Sequence, residues 1–583
     1  MNARPTRNDI FPEPKLPDSR ELIEEGRALA RDCFVRRGSF LEHYDVDCEA
    51  DYKRRCVRDS RLMMHAQIGY RDASKSRNAA MQIHGCLEDA GYRVDRYGIC
   101  LDWSMGYPRS RRAGMPRGTG LILDTPQAFA DLANSAPVAC HFGDFMVGTP
   151  AALENTAAAL AAGATTIGNL GQYFTFRQPG WRDDVATTAE TVKALALIAA
   201  QPVEVLVHSN LDDGFAATLS DLASVAGMVL IERYIVGRLI GASVVHCYGH
   251  TFSNPLTRFA FQRVLAECCG DAPGSMVYGN TTSYENARGA NYAHLAAYLL
   301  VDAQAQRTRP TGHALNPVPV TEAERIPEIE EIVDAHLFAN TLLAGDAVAA
   351  GTIADGDDAE DLASRLVVAG ERFMGRALNG LARAGVDTEN AFEMLLSLRR
   401  LGSRGLEGLV ASESGQPADA DVVAPSPFQE TLARQRERCL AEMDPAVTDR
   451  IRRAGLTGCV ASSDVHEYGK RLIESLLQAL GVDVIDGGVS VDPDSLAETA
   501  RGKRADFIAL STYNGVALDY VRALIGTLRD RGCDIPVFVG GKLNQIPEDS
   551  NTAMPVDVSA DLAGCGAIPC RNPREMISRL AGP

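Results

Sequence analysis

The chain has 583 residues, enough for two to four domains with substantial cores. Its net charge of −18 argues against a nucleic-acid-binding surface, although a local arginine cluster can still serve an anionic substrate. No apolar run is long enough to span a membrane, and Met1-Asn2-Ala3-Arg4-Pro5-Thr6-Arg7 lacks the apolar core of a signal peptide. The 14 cysteines form no Cys-x-x-Cys pair, so reduced thiols in a cytoplasmic protein are expected.

Residues 1–60 open with Pro- and Arg-rich sequence and then a charged helix over Glu21 to Arg37, an N-terminal arm. Residues 61–345 alternate strand and helix. The predicted strands are Arg93 to Leu101, Gly118 to Leu123, Val138 to His141, Thr165 to Asn169, Val203 to His208, Gly227 to Ile231, Ala242 to His246 and Ser275 to Gly279. Ala-rich helices over Thr149 to Ala162 and Ala186 to Ala200 separate some of them. About eight parallel strands predict a (β/α)8 barrel with its chemistry at the strand carboxyl ends. Residues 346–410 read as a helical extension and 411–450 as a linker, rich in Ser, Pro, Asp and Ala over Ala411 to Pro427 and then a short helix over Pro427 to Ala441, which leads into a second α/β domain at 451–583.

That second domain is a succession of short apolar strands and amphipathic helices. An apolar run ends at Asp464-Val465-His466-Glu467-Tyr468-Gly469, and Leu472, Ile473, Leu476, Leu477 and Leu480 then share one helical face. Strands follow at Val482 to Ile485, Ala505 to Ser511 and Ile535 to Val539, with helices over Asp492 to Arg501 and Val516 to Arg531 between them. This alternation predicts a doubly wound, flavodoxin-like parallel sheet, with a ligand beyond the strand carboxyl ends. Asp464 and His466, Ser511, and Gly540-Gly541 fall at three such ends. Neutral imidazole suits a late first-row metal, and a carboxylate two residues away can take the other ring N–H. A glycine at 469 lets the backbone pass close to a bulky flat ligand. The plainer reading of the same six residues is a loop capping a helix.

Over Ala454 to Pro583 the three motifs together resemble the cobalamin-binding domain of the class that includes methylmalonyl-CoA mutase, glutamate mutase and methionine synthase. The resemblance implies His466 as lower axial ligand to cobalt, and Asp464 and Gly469 under the corrin. It also implies Ser511 near the displaced benzimidazole, Gly540 and Gly541 beside the nucleotide tail, and Tyr513 and Gly515 among the cofactor-binding residues. Where that class usually shows Ser-x-Leu, this chain has Ser511-Thr512-Tyr513. The barrel segment from Val138 to Tyr284 is distantly similar to the large subunit of glutamate mutase, mainly through Thr149 to Ala162 and Gly163 to Gln172. A barrel followed by a cobalamin domain is the layout of the adenosylcobalamin-dependent carbon-skeleton mutases. It implies adenosylcobalamin (cobalt) as cofactor and a radical 1,2-rearrangement of a small carboxylate-bearing substrate.

For the barrel, the strand-end residues nominate Arg117, His141, Gln172, His208, Asn210 and His246 as substrate-facing. Each histidine also has a plain reading as a hydrogen-bonded core residue, and the arginines 109, 111, 112 and 117 one as a solvated loop. His246-Cys247-Tyr248-Gly249-His250 carries metal-ligand residue types but no evident fourth ligand, and reads as packing. The rival function is a corrinoid-dependent methyltransferase, and a more distant one a cobalamin sensor. The expected partners are a small-molecule substrate and at most a second copy of the chain, with no nucleic acid and no membrane.

Overall fold

The computed structural model describes the chain except residues 1–3, 116, 119, 213, 214, 250, 251, 280–283, 285, 286, 323, 345–355, 415–421, 465, 466, 514, 546–555 and 583, and the side chains of 217, 356 and 414. Two compact units result: Met1–Phe174 with Asp183–Pro427, and Thr175–Arg182 with Phe428–Pro583.

The first unit is built on eight parallel strands: β1 (Met63–Ile68), β2 (Arg96–Ile99), β3 (Ala139–Phe142), β4 (Thr166–Ile167), β5 (Leu206–Asn210), β6 (Ser243–Tyr248), β7 (Met276–Val277) and β8 (Ala314–Leu315). They run in the order β7-β6-β5-β4-β3-β2-β1-β8, with β8 alongside β1. Among the described residues β7 and β8 are not paired, so the barrel is nearly closed. This is the expected (β/α)8 architecture.

Two expected strands are not strands. Gly118 to Leu123 is a loop pinned by the Asp102 carboxylate, which accepts the amides of Gly118 (3.1 Å) and Gly120 (3.2 Å). Its pairing among the described residues is the isolated parallel bridge Leu101 to Leu121, just past the end of β2. Gly227 to Ile231 lies in the helix Leu222–Arg233, whose apolar run is continuous because it is buried almost all round. A Cβ on Gly227 would sit 2.5 Å from the Phe373 ring, so the glycine permits close approach of the helix Gly356–Arg383. In their place stand β1 and β8. In β1, His65 and Gln67 interrupt the apolar pattern, and β8 is only two residues long.

The arm is part of this unit. Its helix runs only over Ser19–Ala28, capped by the Asp18 carboxylate, and ends in a turn at Leu29–Arg31, short of the expected Arg37. Ile10 and Phe11 are buried, and Arg7–Glu393 (2.7 Å), Arg400–Glu13 (2.6 Å) and Arg400–Asp184 (2.8 Å) tie the chain start to later helices. The helix Glu49–Arg58 plugs the amino-terminal end of the barrel. Tyr52 and Cys56 pack with Met63, Ala139 and Ala314, the first residues of β1, β3 and β8. Cys48 and Ala50 pack with Leu206 and Val245.

The second unit holds β9 (Thr457–Ser462), β10 (Asp483–Gly488), β11 (Phe507–Thr512) and β12 (Val537–Gly541). A short antiparallel pair follows, β13 (Asn544–Gln545) with β14 (Val556–Asp557), and then β15 (Ile568–Pro569). The parallel sheet has the order β10-β9-β11-β12-β15, the 2-1-3-4-5 order of flavodoxin-like folds. Apolar clusters cover both faces. One joins Ile508 and Val539 to Leu496, Val521 and Leu562, and the other joins Val460 and Phe538 to Leu477 and Ile577. The strand order reverses between β9 and β11, so the crevice lies at their carboxyl ends. A helix over Pro445–Ala454, which the sequence pattern does not reveal, precedes β9.

Candidate functional site

In the second unit, Asp464 lies two residues past β9 and is buried. Its Oδ2 accepts the backbone N–H of Tyr513 at 2.7 Å and the Ser463 hydroxyl at 3.3 Å, and its own carbonyl accepts Ser490 N–H at 3.3 Å. Ser463 N–H donates to Ser511 O at 3.0 Å. The ends of β9 and β11 are thus stitched together across the switch point. Gly469, in the first turn of the helix Glu467–Ala479, stands against β11: a Cβ there would lie 2.4 Å from Ser511 Oγ.

At the next strand end, Gly541 has φ +95°, and a Cβ there would lie 2.2 Å from Thr512 O, a conformation and an approach that need glycine. Lys542 N–H donates to Thr512 O at 2.8 Å, and Thr512 Oγ1 donates back to Lys542 O at 3.0 Å. The Lys542 ammonium then sits 4.9 Å from the centroid of the Tyr513 ring, and Tyr513 is 47% exposed. Gly515 also has positive φ (+69°), and Gly540 is the first glycine of the pair that closes β12. The structure therefore gathers Asp464, Gly469, Ser511, Tyr513, Gly540 and Gly541 along adjacent strand ends. His466 lies outside the described residues, as do Val465 and Asn514.

A charge network invisible to motif reading backs this crevice. Lys470 is fully buried and donates to Glu474 (2.6 Å) and Asp486 (2.8 Å), while Arg471 pairs with Glu467 (2.7 Å) and Glu474 (3.1 Å). Burial pushes the Asp486 carboxyl up, but the Lys470 charge and hydrogen bond outweigh it and hold the group below its usual value. Burial wins at Glu467, whose carboxyl is raised. The network fixes the first turns of the helix that begins at Glu467 against the end of β10.

In the first unit, strand alternation sends His65 and Gln67 of β1, Arg96 of β2, His141 of β3 and His208 of β5 to the lumen. His65 Nε2 lies 3.1 Å from Gln67 Oε1, and its Nδ1 lies 3.2 Å from the Arg96 guanidinium. Arg96 pairs with Glu49 (3.1 Å) and Glu49 with Lys53 (2.8 Å), both from the plugging helix. The His141 and His208 rings meet edge to face at 4.5 Å, and His141 Nδ1 bonds to Thr166 O at 3.1 Å. Burial, followed by the charge of Arg96, pushes all three histidines well below the ordinary imidazole value, so they are neutral at pH 7.

Other nominated residues have different surroundings. His246 faces the helix layer, away from the lumen. It stands in register beside Ser209, and both bond to Glu232, at 3.1 Å and 2.6 Å. Burial lowers its pKa, but Cys269 and Glu232 outweigh burial and raise it to about 9. Gln172 holds the loop after β3, accepting Phe145 N–H (2.8 Å) and donating to Asp144 (3.2 Å). Asn210 ends β5, with its N–H on Asn169 Oδ1 (2.7 Å) and its Oδ1 on Asp212 N–H (3.2 Å). Arg117 is exposed in the loop pinned by Asp102, whereas Arg112 is buried and donates to the carbonyls of Met105, Tyr107 and Leu123. His65 and Gln67 escaped the sequence reading because β1 did, while Arg96, on an expected strand, and Glu49 and Lys53, on the arm's plugging helix, were not nominated. The His-x-Gln alternation was the signal available. Among the described residues no group of three or more His, Cys, Asp or Glu side chains could hold a metal ion.

Three kinds of likeness bear on these sites. Residues 456–560 match the family profile of the B12 binding domain. The chain is 36% identical over 99 residues to a fused isobutyryl-CoA mutase of Paraburkholderia xenovorans (17% of this chain, 8% of that protein). It is 33% identical over 84 residues to a glutamate mutase sigma subunit of Haloarcula marismortui (14% and 56%). It is 32% identical over 103 residues to a dimethylamine corrinoid protein of Methanosarcina acetivorans (17% and 47%). The matches thus span at most 56% of any of these three relatives. A crystal structure of a novel cobalamin-binding protein from Desulfitobacterium hafniense aligns with 36% of this chain and 89% of its own at 19% identity, but its TM-score of 0.20 carries no argument. No described helix is long and apolar enough to cross a membrane. The B12-binding match thus falls on the sheet whose switch point joins Asp464, Gly469 and Ser511.

Proposed function

We propose that the protein is a cobalamin-dependent mutase: an isomerase that uses adenosylcobalamin to rearrange the carbon skeleton of a small, carboxylate-bearing, amino acid-like substrate. The observation that carries the reading is the β9/β11 crevice inside the residues that match the B12 binding domain. The names of two relatives, an isobutyryl-CoA mutase and a glutamate mutase subunit, support the mutase class.

The residues fit a corrinoid. Gly469 leaves out the Cβ that would fill the space before Ser511. Asp464 is a buried carboxylate held at the strand ends by the Tyr513 amide. The buried Ser490 Oγ finds no partner among the described residues, so a hydrogen-bonding group is left for a ligand. His466 would hold the cobalt through its imidazole, and Asp464 would supply the carboxylate that accepts the other ring N–H. When bound, adenosylcobalamin supplies a cobalt–carbon bond that opens to radical chemistry.

The lumen's part is binding and shielding. Neutral His65, His141 and His208 offer uncharged donors and acceptors that orient substrate oxygens without trading protons at pH 7. The plugging helix closes the lumen's amino-terminal end to water, which radical chemistry requires. No nucleophile triad is needed.

The match to a dimethylamine corrinoid protein favours the second reading, a corrinoid methyltransferase. Anaerobic incubation with adenosylcobalamin and a panel of small acids, followed by electron paramagnetic resonance, separates the two. A substrate-dependent radical signal supports the mutase. Silence with every acid, together with methyl transfer from methylcobalamin, replaces it with the methyltransferase.

A further inference from the structure

We propose that the floor of the barrel lumen is an anion subsite in which Arg96, held in place by His65, takes the carboxylate of the substrate. The inference rests on the mutase reading above and deepens it, naming the group that selects an acid over its neutral analogue.

Alternation sends Arg96 and Gly98 of β2, and His65 and Gln67 of β1, into the lumen. A guanidinium only donates, so the 3.2 Å contact between Arg96 Nη1 and His65 Nδ1 makes that ring nitrogen the acceptor. The ring proton then sits on Nε2, which lies 3.1 Å from Gln67 Oε1. Gln67 donates onward to Cys100 Sγ at 2.9 Å. This chain orients the guanidinium from one side. On the other side Glu49 Oε1 lies 3.1 Å from Arg96 Nε, yet the buried Nε has no aligned hydrogen-bond acceptor among the described residues. The Gln67 carboxamide lies over Gly98, where a Cβ would overlap its Oε1. The layer above Arg96 is therefore a movable amide over bare backbone, not apolar packing.

Charge at the floor is unbalanced. Glu49 also pairs with Lys53 at 2.8 Å, and all three side chains are buried. Among the described residues Glu49 is the carboxylate that pairs with either cation, so two cations share one anion. A buried charge without its counterpart is costly, and a ligand carboxylate supplies the missing one. The planar fork of an arginine suits that group. The charge of Arg96 also reaches up the lumen, where after burial it is the largest influence holding His141 and His208 neutral.

The test is a ligand-observed NMR titration of the full chain with propionate, succinate and neutral propionamide, with and without aquacobalamin. The wild type is expected to bind both acids, and propionamide at least about tenfold more weakly. Arg96→Met, which leaves Glu49 paired with Lys53, should weaken both acids about 10–100-fold, the weight of a hydrogen bond between charged groups. It should leave propionamide and aquacobalamin unchanged. Glu49→Gln removes the competing anion and should bind the acids more tightly than wild type, whereas a purely structural ion pair would make both variants lose. No binding of either acid, equal affinity for propionate and propionamide, no loss in Arg96→Met, or a loss in Glu49→Gln would each overturn the subsite while leaving the cofactor reading intact. A chain that takes up no aquacobalamin would overturn the mutase reading, and the titration without corrinoid would still decide the subsite.

Discussion

The backbone N–H of Tyr513 donates to Asp464 Oδ2 at 2.7 Å, so the carboxylate proposed to stand behind the cobalt ligand also joins the ends of β9 and β11. The two roles separate by substitution. Asp464→Asn retains a side-chain oxygen for the Tyr513 amide but loses the charge, so its melting temperature should stay within a few degrees of wild type while corrinoid affinity falls about 10–100-fold. Asp464→Ala frees a buried amide as well and should lose a further ~1–3 kcal/mol of stability in denaturant titration. Equal corrinoid affinity in wild type and Asp464→Asn would remove the carboxylate from the cofactor site.

Lys470 is the buried hub of the ion network behind the crevice. Lys470→Met leaves Glu474 and Asp486 without their main cation, although Arg471 still pairs with Glu474. The expected cost is ~2–3 kcal/mol, below the full penalty of a stranded buried charge because Asp486 is half exposed. Lys470→Met/Glu474→Leu should recover part of it, as read by chemical unfolding of the second unit's signal.

Gly171 opens the short helix after β4, where a Cβ would lie 1.9 Å from the Asn210 carbonyl oxygen. Backbone is the obstacle and no rotamer relieves it. Gly171→Ala should therefore destabilise the barrel by ~2–4 kcal/mol. Circular dichroism melting checks it, with the exposed Gly375→Ala as the control expected to be neutral or slightly stabilising.

Five buried histidines make the barrel acid-sensitive. Burial lowers His65, His141 and His208 well below their ordinary value, His313 to about 3 and His336 to about 4. Each binds its proton more readily in the unfolded chain. Their stabilising contribution is therefore complete above the unfolded value near 6.5 and is lost as pH falls toward the folded values. Stability in urea should drop steadily from pH 6.5 to pH 4. His336→Leu should flatten that limb by close to one proton, since neither His336 ring nitrogen has a hydrogen-bond partner among the described residues.

The lumen histidines serve substrate in the proposed function. His141→Ala and His208→Ala should therefore leave corrinoid titrations unchanged while cutting the substrate-dependent radical signal at least about 100-fold. His246→Gln, whose parent side chain bonds to Glu232 in the helix layer, should keep that signal and lose stability instead.

The crevice was legible because its residues are local motifs at the ends of β9, β11 and β12, where glycine and acid spacing survives as text. Asp464, Gly469, Ser511 and Gly540-Gly541 fall where the alternation of strand and helix predicts. The barrel was legible as a count of strands and less so as a set. Gly227 to Ile231 looked like a strand because a helix buried on all sides loses its periodicity, and β1 was missed because its lumen face is His65 and Gln67.

By itself the sequence determined the α/β class, the two-part organisation and the residues of the switch-point crevice, since hydrophobic period and glycine placement are local properties. Tertiary structure alone decided which histidines face the lumen. His208 and His246 lie at similar places on neighbouring strands, yet the one-residue offset in register sends the first inward and the second to Glu232. It also decided that Glu49 of the arm, paired with Lys53, reaches Arg96, and that Lys542 comes to lie over Tyr513. Those relationships depend on strand neighbours far apart in the chain, whose pairing no local pattern encodes.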